Sequence, residues 1–576
     1  MGPATLPRMR TCFYLLFALL AALPVCTAQV VQNKGPATMP EDIFYNSAIY
    51  TGEGLSQDKP RVVEAMAIGG GRVLAVGGNQ AIKRMAGAAT RMHDLHGGGR
   101  DVFVFPGFND AHLHLGNAGL TKLNVDLTDA TSLKDMLARV GNYAKDAPAG
   151  RWLTGGRWDH TLWLEKVLPT RQQMDGVTLG HPALLERVDG HIAIANSAAL
   201  AAAGISGKTV VPPGGAIDLD AHGEPTGILR ESAVDMVARV IPPRSHEERV
   251  RGAELAMADA LMHGVTSVQD NSDWEDFLVY EELQKAGKLN LRITEWLPFK
   301  APLDELKQMR GHHDASDPML HTGMLKGFMD GSLGSRTAAM KAPYSDDAGN
   351  TGLPQFTQAE LNALALERSK AGFQLGFHAI GDKAAEMALD AYAQPGISAQ
   401  ARNRIEHAQV VDREDVARFA KLGVIASMQP NHLLTDMNWA EERVGQKRAA
   451  FSYAWKAFLD AGVPLAFGTD YPVEPVTPFR GLYAAVTRRN EAGTKSYFPE
   501  QKITRGQALF AYTQGSAYAE FAETHKGKLE PGYDADFTLL DRDLYTIAAP
   551  ELLKTQVLET YVAGRQVYLG GARIRQ

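Results

Sequence analysis

Strand-like and helical stretches alternate through the middle of the chain, and this alternation constrains the fold more than any other feature. Short apolar runs are separated by segments with helix-start signals, which favours parallel strands joined by helices. Eight runs have this character: Val102–Phe105, Gly264–Gln269, Leu291–Leu297, Met324–Met329, Phe373–His378, Arg404–His407, Gly423–Met428 and Val463–Asp470. They predict an α/β fold, a (β/α)8 TIM barrel over residues 101–524.

Helix-start motifs lie between several of these runs. Ser245-x-x-Glu248 and Thr357-x-x-Glu360 have the spacing of capping boxes. A third helix is predicted after Asp412 and should end near Gly423, since glycine readily adopts the left-handed conformation that terminates helices.

Two regions lie outside a minimal barrel. Residues from about 120 to 245 are too long for an ordinary connection, so they predict a lid insertion over the barrel mouth. Residues 42–100 and 525–576 contain short strand-like runs punctuated by glycines, which favours a small β-sandwich domain built from both termini.

The N-terminus has the layout of a signal peptide over residues 1–28. Arg8 and Arg10 precede an apolar stretch that is short for a bilayer span, and small residues follow it. We therefore expect export to the periplasm or medium, with no stable membrane span after cleavage; a retained anchor is the alternative. The only cysteines, Cys12 and Cys26, lie in this segment, so the mature chain offers no thiolate ligand.

Metal-ligating side chains recur at the ends of the predicted barrel strands. His112 and His114 follow the first run at i and i+2, a spacing that lets two imidazoles point to one side of an extended chain. Lys326, His378, His407 and Asp470 lie on or at the ends of later runs. Barrel strands present their carboxyl ends on one face, which predicts that these side chains meet there.

Several local sequences resemble the amidohydrolase superfamily, and within it the amidohydrolase 3 branch that includes N-substituted formamide deformylases. The quoted matches are Phe105-Pro-Gly-Phe-Asn-Asp-Ala-His-Leu-His, Asp189-Gly-His, Lys326-Gly-Phe-Met-Asp-Gly-Ser, Phe377-His-Ala-Ile-Gly-Asp, Arg404-Ile-Glu-His-Ala-Gln and Gly468-Thr-Asp-Tyr-Pro-Val. The resemblance extends over nearly the whole mature chain.

The resemblance implies a binuclear metal site. One ion would be held by His112, His114 and Asp470, and a second by His378 and His407. Lys326 would be carboxylated and bridge the two ions; a plain lysine beside a single ion is the alternative. Zinc is the default for such ligands, with Mn, Co or Fe also suitable.

Roles in catalysis follow from the same pattern. Asp470 would act as general base and then as general acid. His191, in the insertion, would donate a hydrogen bond to the substrate carbonyl, or else serve a structural role. Asp330 would hold a ligand or its own loop. The remaining histidines are assigned structural or solvated roles, and His432 is a weak exception because it follows the seventh run.

The predicted function is hydrolysis of a C–N bond in an amide-type small molecule, such as an N-formyl amine, an N-acyl amine or a cyclic amide. A metal-dependent lactonase or esterase is one alternative, and an inactive small-molecule binding protein on the same scaffold is another. The net charge of -7 and the lack of a basic run argue against a nucleic-acid partner. A homo-oligomer is compatible with the sequence.

Overall fold

The computed structural model describes residues 39–96, 101–188, 191–212 and 214–571. The predicted signal segment, residues 1–28, lies outside this range. Within it, no helix combines the length and the apolar character needed to cross a bilayer.

A parallel eight-stranded barrel forms the centre of the fold, which confirms the predicted fold class. Its strands, in barrel order, are Phe108–Leu113, Val265–Asp270, Arg292–Pro298, Leu320–Phe328, Leu375–Ala379, Arg404–His407, Ile425–Met428 and Leu465–Phe467. Strands eight and one are joined near their carboxyl ends, where the Asp470 amide donates to the His112 carbonyl at 2.7 Å and the His114 amide donates to the Tyr471 carbonyl at 2.8 Å.

The first barrel strand is Phe108–Leu113, the strand after the apolar run Val102–Phe105 that the sequence pattern predicts. Phe103–Pro106 pairs instead with Phe537–Leu540 in a separate sheet, and the barrel begins at Phe108. Gly107 allows the chain to pass between the two sheets, because a Cβ atom there would lie 2.2 Å from Thr266 Oγ1. Both stretches are apolar and buried, so hydrophobicity alone did not separate them.

Helices alternate with the barrel strands, and the predicted helix starts are confirmed. Ser245 and Glu248 form a reciprocal capping box, while Thr357 and Asp412 cap the two later helices. Gly423, at φ 64°, ends the helix that Asp412 begins. The helices around the barrel are Leu115–Lys122, His246–Met262, Trp274–Lys285, Leu303–His312, Gln358–Lys370, Asp382–Tyr392, Arg413–Leu422, Asn431–Asp436, Ala440–Ala449, Trp455–Asp460, Pro478–Thr487, Arg505–Phe510 and Ser516–Ala519.

A mixed sheet combines strands from both ends of the described chain. Its members are Asp42–Tyr50, Val62–Gly69, Arg72–Gly77, Arg91–Asp94, Phe103–Pro106, Phe537–Leu540, Val557–Val562 and Arg565–Leu569, with the helix Asn79–Lys83 between two of them. The sheet has its own apolar core, in which Phe44, Phe537 and Tyr561 pack ring against ring.

The insertion forms a third sheet. Its strands are Val125–Asp126, Gly155–Trp158, Leu184–Arg187, Ile192–Ala195, Ala216–Leu219 and Pro225–Arg230, and its helices are Leu133–Asp146, Arg171–Asp175, Ser197–Ala202 and Val234–Ala238. It follows barrel strand one through the helix Leu115–Lys122 and precedes the helix His246–Met262. The insertion therefore leaves the barrel on the face where the carboxyl ends of the strands lie.

Two helices make an unusually close contact beside strand one. A Cβ atom at Gly119, in Leu115–Lys122, would lie 2.3 Å from the backbone of Gly252, in His246–Met262. The helix that Gly119 belongs to begins directly after His114. Its close packing therefore fixes the position of the chain next to that histidine.

We expect Gly119→Ala to destabilise the protein. Overpacking a close contact costs about 1–3 kcal/mol of stability, and this cost outweighs the roughly 1 kcal/mol by which alanine favours a helix over glycine. Gly141→Ala is the matched control, since a Cβ atom in that helix would meet its nearest neighbour, Val177 Cβ, at an ordinary 3.5 Å. Urea unfolding should show a lower midpoint for the first variant and an equal or higher one for the second. Equal midpoints would contradict the close-packing argument.

Candidate metal centre

The structure brings six of the seven predicted site residues into one cluster at the carboxyl ends of the barrel strands. This cluster, called the site cluster below, consists of His112, His114, Lys326, His378, His407 and Asp470. His112 Nε2 lies 3.1 Å from Lys326 Nζ and 3.6 Å from Asp470 Oδ1. His114 Nε2 also lies 3.1 Å from Asp470 Oδ1.

The remaining two members, His378 and His407, join through one tilted and one edge-on ring contact. The His407 ring centroid is 4.8 Å from that of His112 and 4.5 Å from that of His378. One ligand atom from each of His112, His407 and Asp470 lies within 4.8 Å of the others, a spacing that suits one shared ion.

Two members of the cluster leave regular strand geometry. His407 has φ 72° and Asp470 has φ 59°, in the left-handed region that residues other than glycine seldom occupy. Such conformations persist where the surrounding structure enforces them, and they are concentrated at functional sites. Just before Asp470, Gly468 allows strand eight to approach strand one, because a Cβ atom there would lie 2.5 Å from the His112 amide nitrogen.

A buried carboxylate fixes the tautomer of His112. The ring Nδ1–H donates to Glu406 Oε2 at 2.7 Å, and both side chains are fully buried. Burial and the charge of Lys326 lower the pKa of His112 well below its ordinary value. The ring is therefore neutral, and its Nε2 presents a lone pair to the site cluster. A carboxylate behind a ligating histidine is a common arrangement at metal sites.

His114 is oriented in the same way by a backbone carbonyl. Its Nδ1–H donates to the Asn271 carbonyl at 2.9 Å, which leaves the Nε2 lone pair facing Asp470 Oδ1. That carboxylate oxygen is buried and finds no hydrogen-bond donor among the described residues. Two imidazole lone pairs and an unpaired carboxylate oxygen thus converge, and they repel one another unless a cation lies between them. This donor set fits a divalent metal ion.

The His378 side of the cluster is held by the loop after strand four. His378 Nε2–H donates to the Gly331 carbonyl at 3.0 Å, which leaves Nδ1 as the nitrogen with a free lone pair. Burial lowers the pKa of His378 to about 4, so the ring is neutral. Asp330 accepts amide hydrogens from Ala339, Ile380 and Gly381, which ties this loop to the end of strand five.

Lys326 lies at the bottom of the cluster among aromatic rings. Its ammonium group lies 5.2 Å from the ring centroid of Trp296 and 4.9 Å from that of Phe328, and it donates to His112 Nε2. Burial lowers the pKa of Lys326 to about 8, although Glu406 and Asp470 oppose this shift. Unmodified Lys326 therefore occupies the lone pair of His112 that a metal ion needs.

Sequence reasoning missed several residues that hold the cluster together. Glu406, in the Arg404-Ile-Glu-His motif, was given no role. The i and i+2 spacing of Arg404 and Glu406, which puts both on one face of the strand, was the available signal. Asp110 accepts the amides of His112 and Thr469 at 3.1 and 3.0 Å, and so joins strands one and eight. Burial raises the pKa of Asp110 to about 7.

His432, only a weak exception among the histidines without a predicted site role, contacts the cluster. Its Nε2 lies 3.1 Å from Asp470 Oδ2, the carboxylate oxygen opposite the one that faces His114. Burial disfavours a charged ring here, but the contact with Asp470 and the charges of Asp436 and Glu474 outweigh it and raise the pKa of His432 to about 9. Its position directly after the seventh strand was the available sequence signal.

The seventh predicted site residue, His191, lies in the insertion. Its side chain is 65% exposed, and Nδ1 lies 3.0 Å from Glu231 Oε2. The preceding Asp189 and Gly190 are outside the described residues. The role of His191 as a donor to the substrate stays a prediction.

Comparison with known proteins places these features in a family. The model of an amidohydrolase family, amidohydrolase 3, matches residues 94–568. Protein LONG AFTER FAR-RED 3 of Arabidopsis thaliana is 33% identical over 551 residues, covering 92% of this chain and 92% of the relative. N-substituted formamide deformylase of Arthrobacter pascens is 28% identical over 521 residues, covering 87% of this chain and 94% of the relative.

A solved structure of a metal-dependent hydrolase is also similar to this chain. The crystal structure of an uncharacterized metal-dependent hydrolase from Pyrococcus horikoshii OT3 superposes with a TM-score of 0.72 at 30% sequence identity. The match covers 88% of this chain and 99% of the other.

Glu406→Gln should weaken metal binding, because the carboxamide cannot accept from both His112 and Arg404 as the carboxylate does. Loss of such a partner typically lowers metal affinity about 10- to 100-fold. Competition with a fluorescent zinc chelator measures the affinity, and circular dichroism checks the fold. Glu414→Gln, on the exposed face of the next helix, is the control. Unchanged affinity in folded Glu406→Gln would refute the role given to this carboxylate.

Proposed function

Because the chain belongs to the amidohydrolase family, we propose that it is a metal-dependent hydrolase that cleaves the C–N bond of an amide-type small molecule. The observation that carries the proposal is the convergence of His112 Nε2, His114 Nε2 and the unpaired Asp470 Oδ1 at the carboxyl ends of the barrel strands. Relatives that act on C–N bonds, such as the formamide deformylase, support it.

The ligand assignment is the one that the resemblance to the amidohydrolase superfamily implies. His112, His114 and Asp470 would hold one ion, and His378 with His407 would hold a second. Imidazole and carboxylate ligands suit Zn best, with Mn, Co or Fe as further candidates. When bound, such ions lower the pKa of water toward about 7 and polarise a carbonyl group.

Lys326 is proposed to be carboxylated. A cationic ammonium 3.1 Å from His112 Nε2 would compete with an ion for that lone pair and would repel it. Addition of carbon dioxide to the amine turns this cation into an anion whose oxygens can serve as metal ligands. Burial of Lys326 disfavours charge on the free amine and so favours the nucleophilic form.

Asp470 is proposed to move the proton in the reaction. It would accept a proton from the attacking water as the water oxygen bonds to the amide carbon. It would then deliver that proton to the amine nitrogen as the C–N bond breaks. Burial raises the pKa of Asp470 and the contact with His432 lowers it, and the net shift leaves the pKa well below its ordinary value. His191 is retained as the proposed donor to the substrate oxygen.

The proposed substrates are N-formyl amines, N-acyl amines and small cyclic amides. We expect metal analysis of purified protein to give about two ions per chain, and hydrolysis of at least one of these classes after loading with Zn or Mn. Dialysis against a chelator should abolish turnover, and added metal should restore it. Lactones and simple esters form the comparison set. Well under one ion per chain, together with no amide hydrolysis after metal addition, would refute the proposed function.

Asp470→Asn should lower kcat by about 10²- to 10⁴-fold, the usual contribution of a general base or acid. The carboxamide keeps the size of the side chain but cannot take up a proton near neutral pH. Steady-state kinetics on the best amide substrate, with metal content measured in the same sample, separates loss of the base from loss of metal. Asp304→Asn, at an exposed position, is the control. Full turnover by metal-bound Asp470→Asn would exclude this residue as the base.

A further inference from the structure

A histidine from the seventh barrel strand contacts the proposed base. His432 is the second residue of the helix Asn431–Asp436, which begins directly after strand seven, Ile425–Met428. Strand seven pairs with strand eight, the strand that leads to Asp470. This neighbourhood brings His432 Nε2 to 3.1 Å from Asp470 Oδ2.

The two oxygens of Asp470 have different neighbours. Oδ1 faces His114 Nε2 at 3.1 Å and His112 Nε2 at 3.6 Å, while Oδ2 faces His432. An aspartate carboxylate turns easily about its last bond, because that torsion has only broad preferences. A hydrogen bond from His432 to Oδ2 removes this freedom and keeps Oδ1 on the side of the ligating histidines.

The acidic groups that act on His432 are Asp470, Asp436 and Glu474. Two of them are already engaged elsewhere. Asp436 accepts from the Gln409 amide at 2.6 Å and from the Tyr453 hydroxyl. Glu474 accepts from the Thr435 hydroxyl and from the Arg480 guanidinium. The Nε2–H of His432 is therefore directed to Asp470.

His432 also borders the accessible part of the site cluster. Its side chain is 14% exposed, close to the 10% of Asp470 and the 23% of His114, whereas His112 is fully buried. His432 therefore lies on the more exposed side of the site cluster, next to the proposed base.

We infer that His432 is a positioning residue for Asp470. It holds the carboxylate so that Oδ1 stays on the side of the ligating histidines while Oδ2 stays hydrogen-bonded to His432. The inference rests on the proposed function, in which Asp470 transfers the proton. Nothing in the predicted ligand set assigns His432 a part in the reaction.

Two substitutions separate this role from simple packing. The amide nitrogen of His432→Gln can take the place of Nε2 and donate to Asp470 Oδ2, while His432→Leu fills a similar volume without a donor. With metal-loaded protein, we expect His432→Leu to lower kcat about 10- to 100-fold, the usual cost of losing such a partner. KM and metal content should stay near the wild-type values, and His432→Gln should recover most of the lost kcat.

A second readout does not depend on turnover. Cobalt-loaded protein has a visible absorption spectrum that reports the ligand arrangement around the ion. We expect His432→Leu to change this spectrum and His432→Gln to restore it, because only the glutamine fixes the Asp470 carboxylate. His246→Leu, near the start of another helix where the histidine pairs with Glu282, is the matched control and should change neither readout.

Each result bears on a different proposal. Wild-type protein that binds metal but hydrolyses no amide refutes the proposed function, and the cobalt spectra still test His432. An unchanged kcat and spectrum in His432→Leu would overturn the inference. It would also be overturned if His432→Gln were as impaired as His432→Leu, or if activity fell only in proportion to lost metal.

Discussion

The buried ion pair between Arg404 and Glu406 is the interaction on which the interior of the barrel depends. Charges inside a protein cost several kcal/mol each unless every polar group around them is satisfied. Here the guanidinium donates to Glu406 at 2.7 Å, to the Ala111 carbonyl at 2.7 Å and to Ser427 at 2.8 Å, and it also contacts Gln269. One side chain thereby links strands one, two, six and seven, and its partner carboxylate orients His112.

This arrangement explains why the outline of the site was predictable and its support was not. Histidine, lysine and aspartate at the ends of parallel strands must meet on one face, so His112, His378 and Asp470 could be placed from the sequence. Their partners could not, because Glu406 reaches His112 only after the barrel closes. Strand alternation also puts Glu406 and His407 on opposite faces, and only the φ of 72° at His407 brings both toward the cluster.

In the fold, too, features set by local sequence were predictable and features set by distant partners were not. Capping boxes and terminal glycines are local signals, and they predicted the helix starts and the helix end at Gly423 correctly. The boundary between Phe103–Pro106 and Phe108–Leu113 is not local, because both segments are apolar and each is defined by a partner strand far away in the chain. The constraint that separates them is the space beside Gly107, which depends on Thr266 from the second barrel strand.

The sheet built from both ends of the described chain has a consequence for biosynthesis. Phe103–Pro106 lies between Asp42–Tyr50 and Phe537–Leu540, so one of its edges has no partner until residues 537–540 have left the ribosome. An unpaired apolar edge is an aggregation hazard, and pairing over such a long sequence separation is slow. The early strands therefore stay exposed to aggregation until their late partner strand has been synthesised.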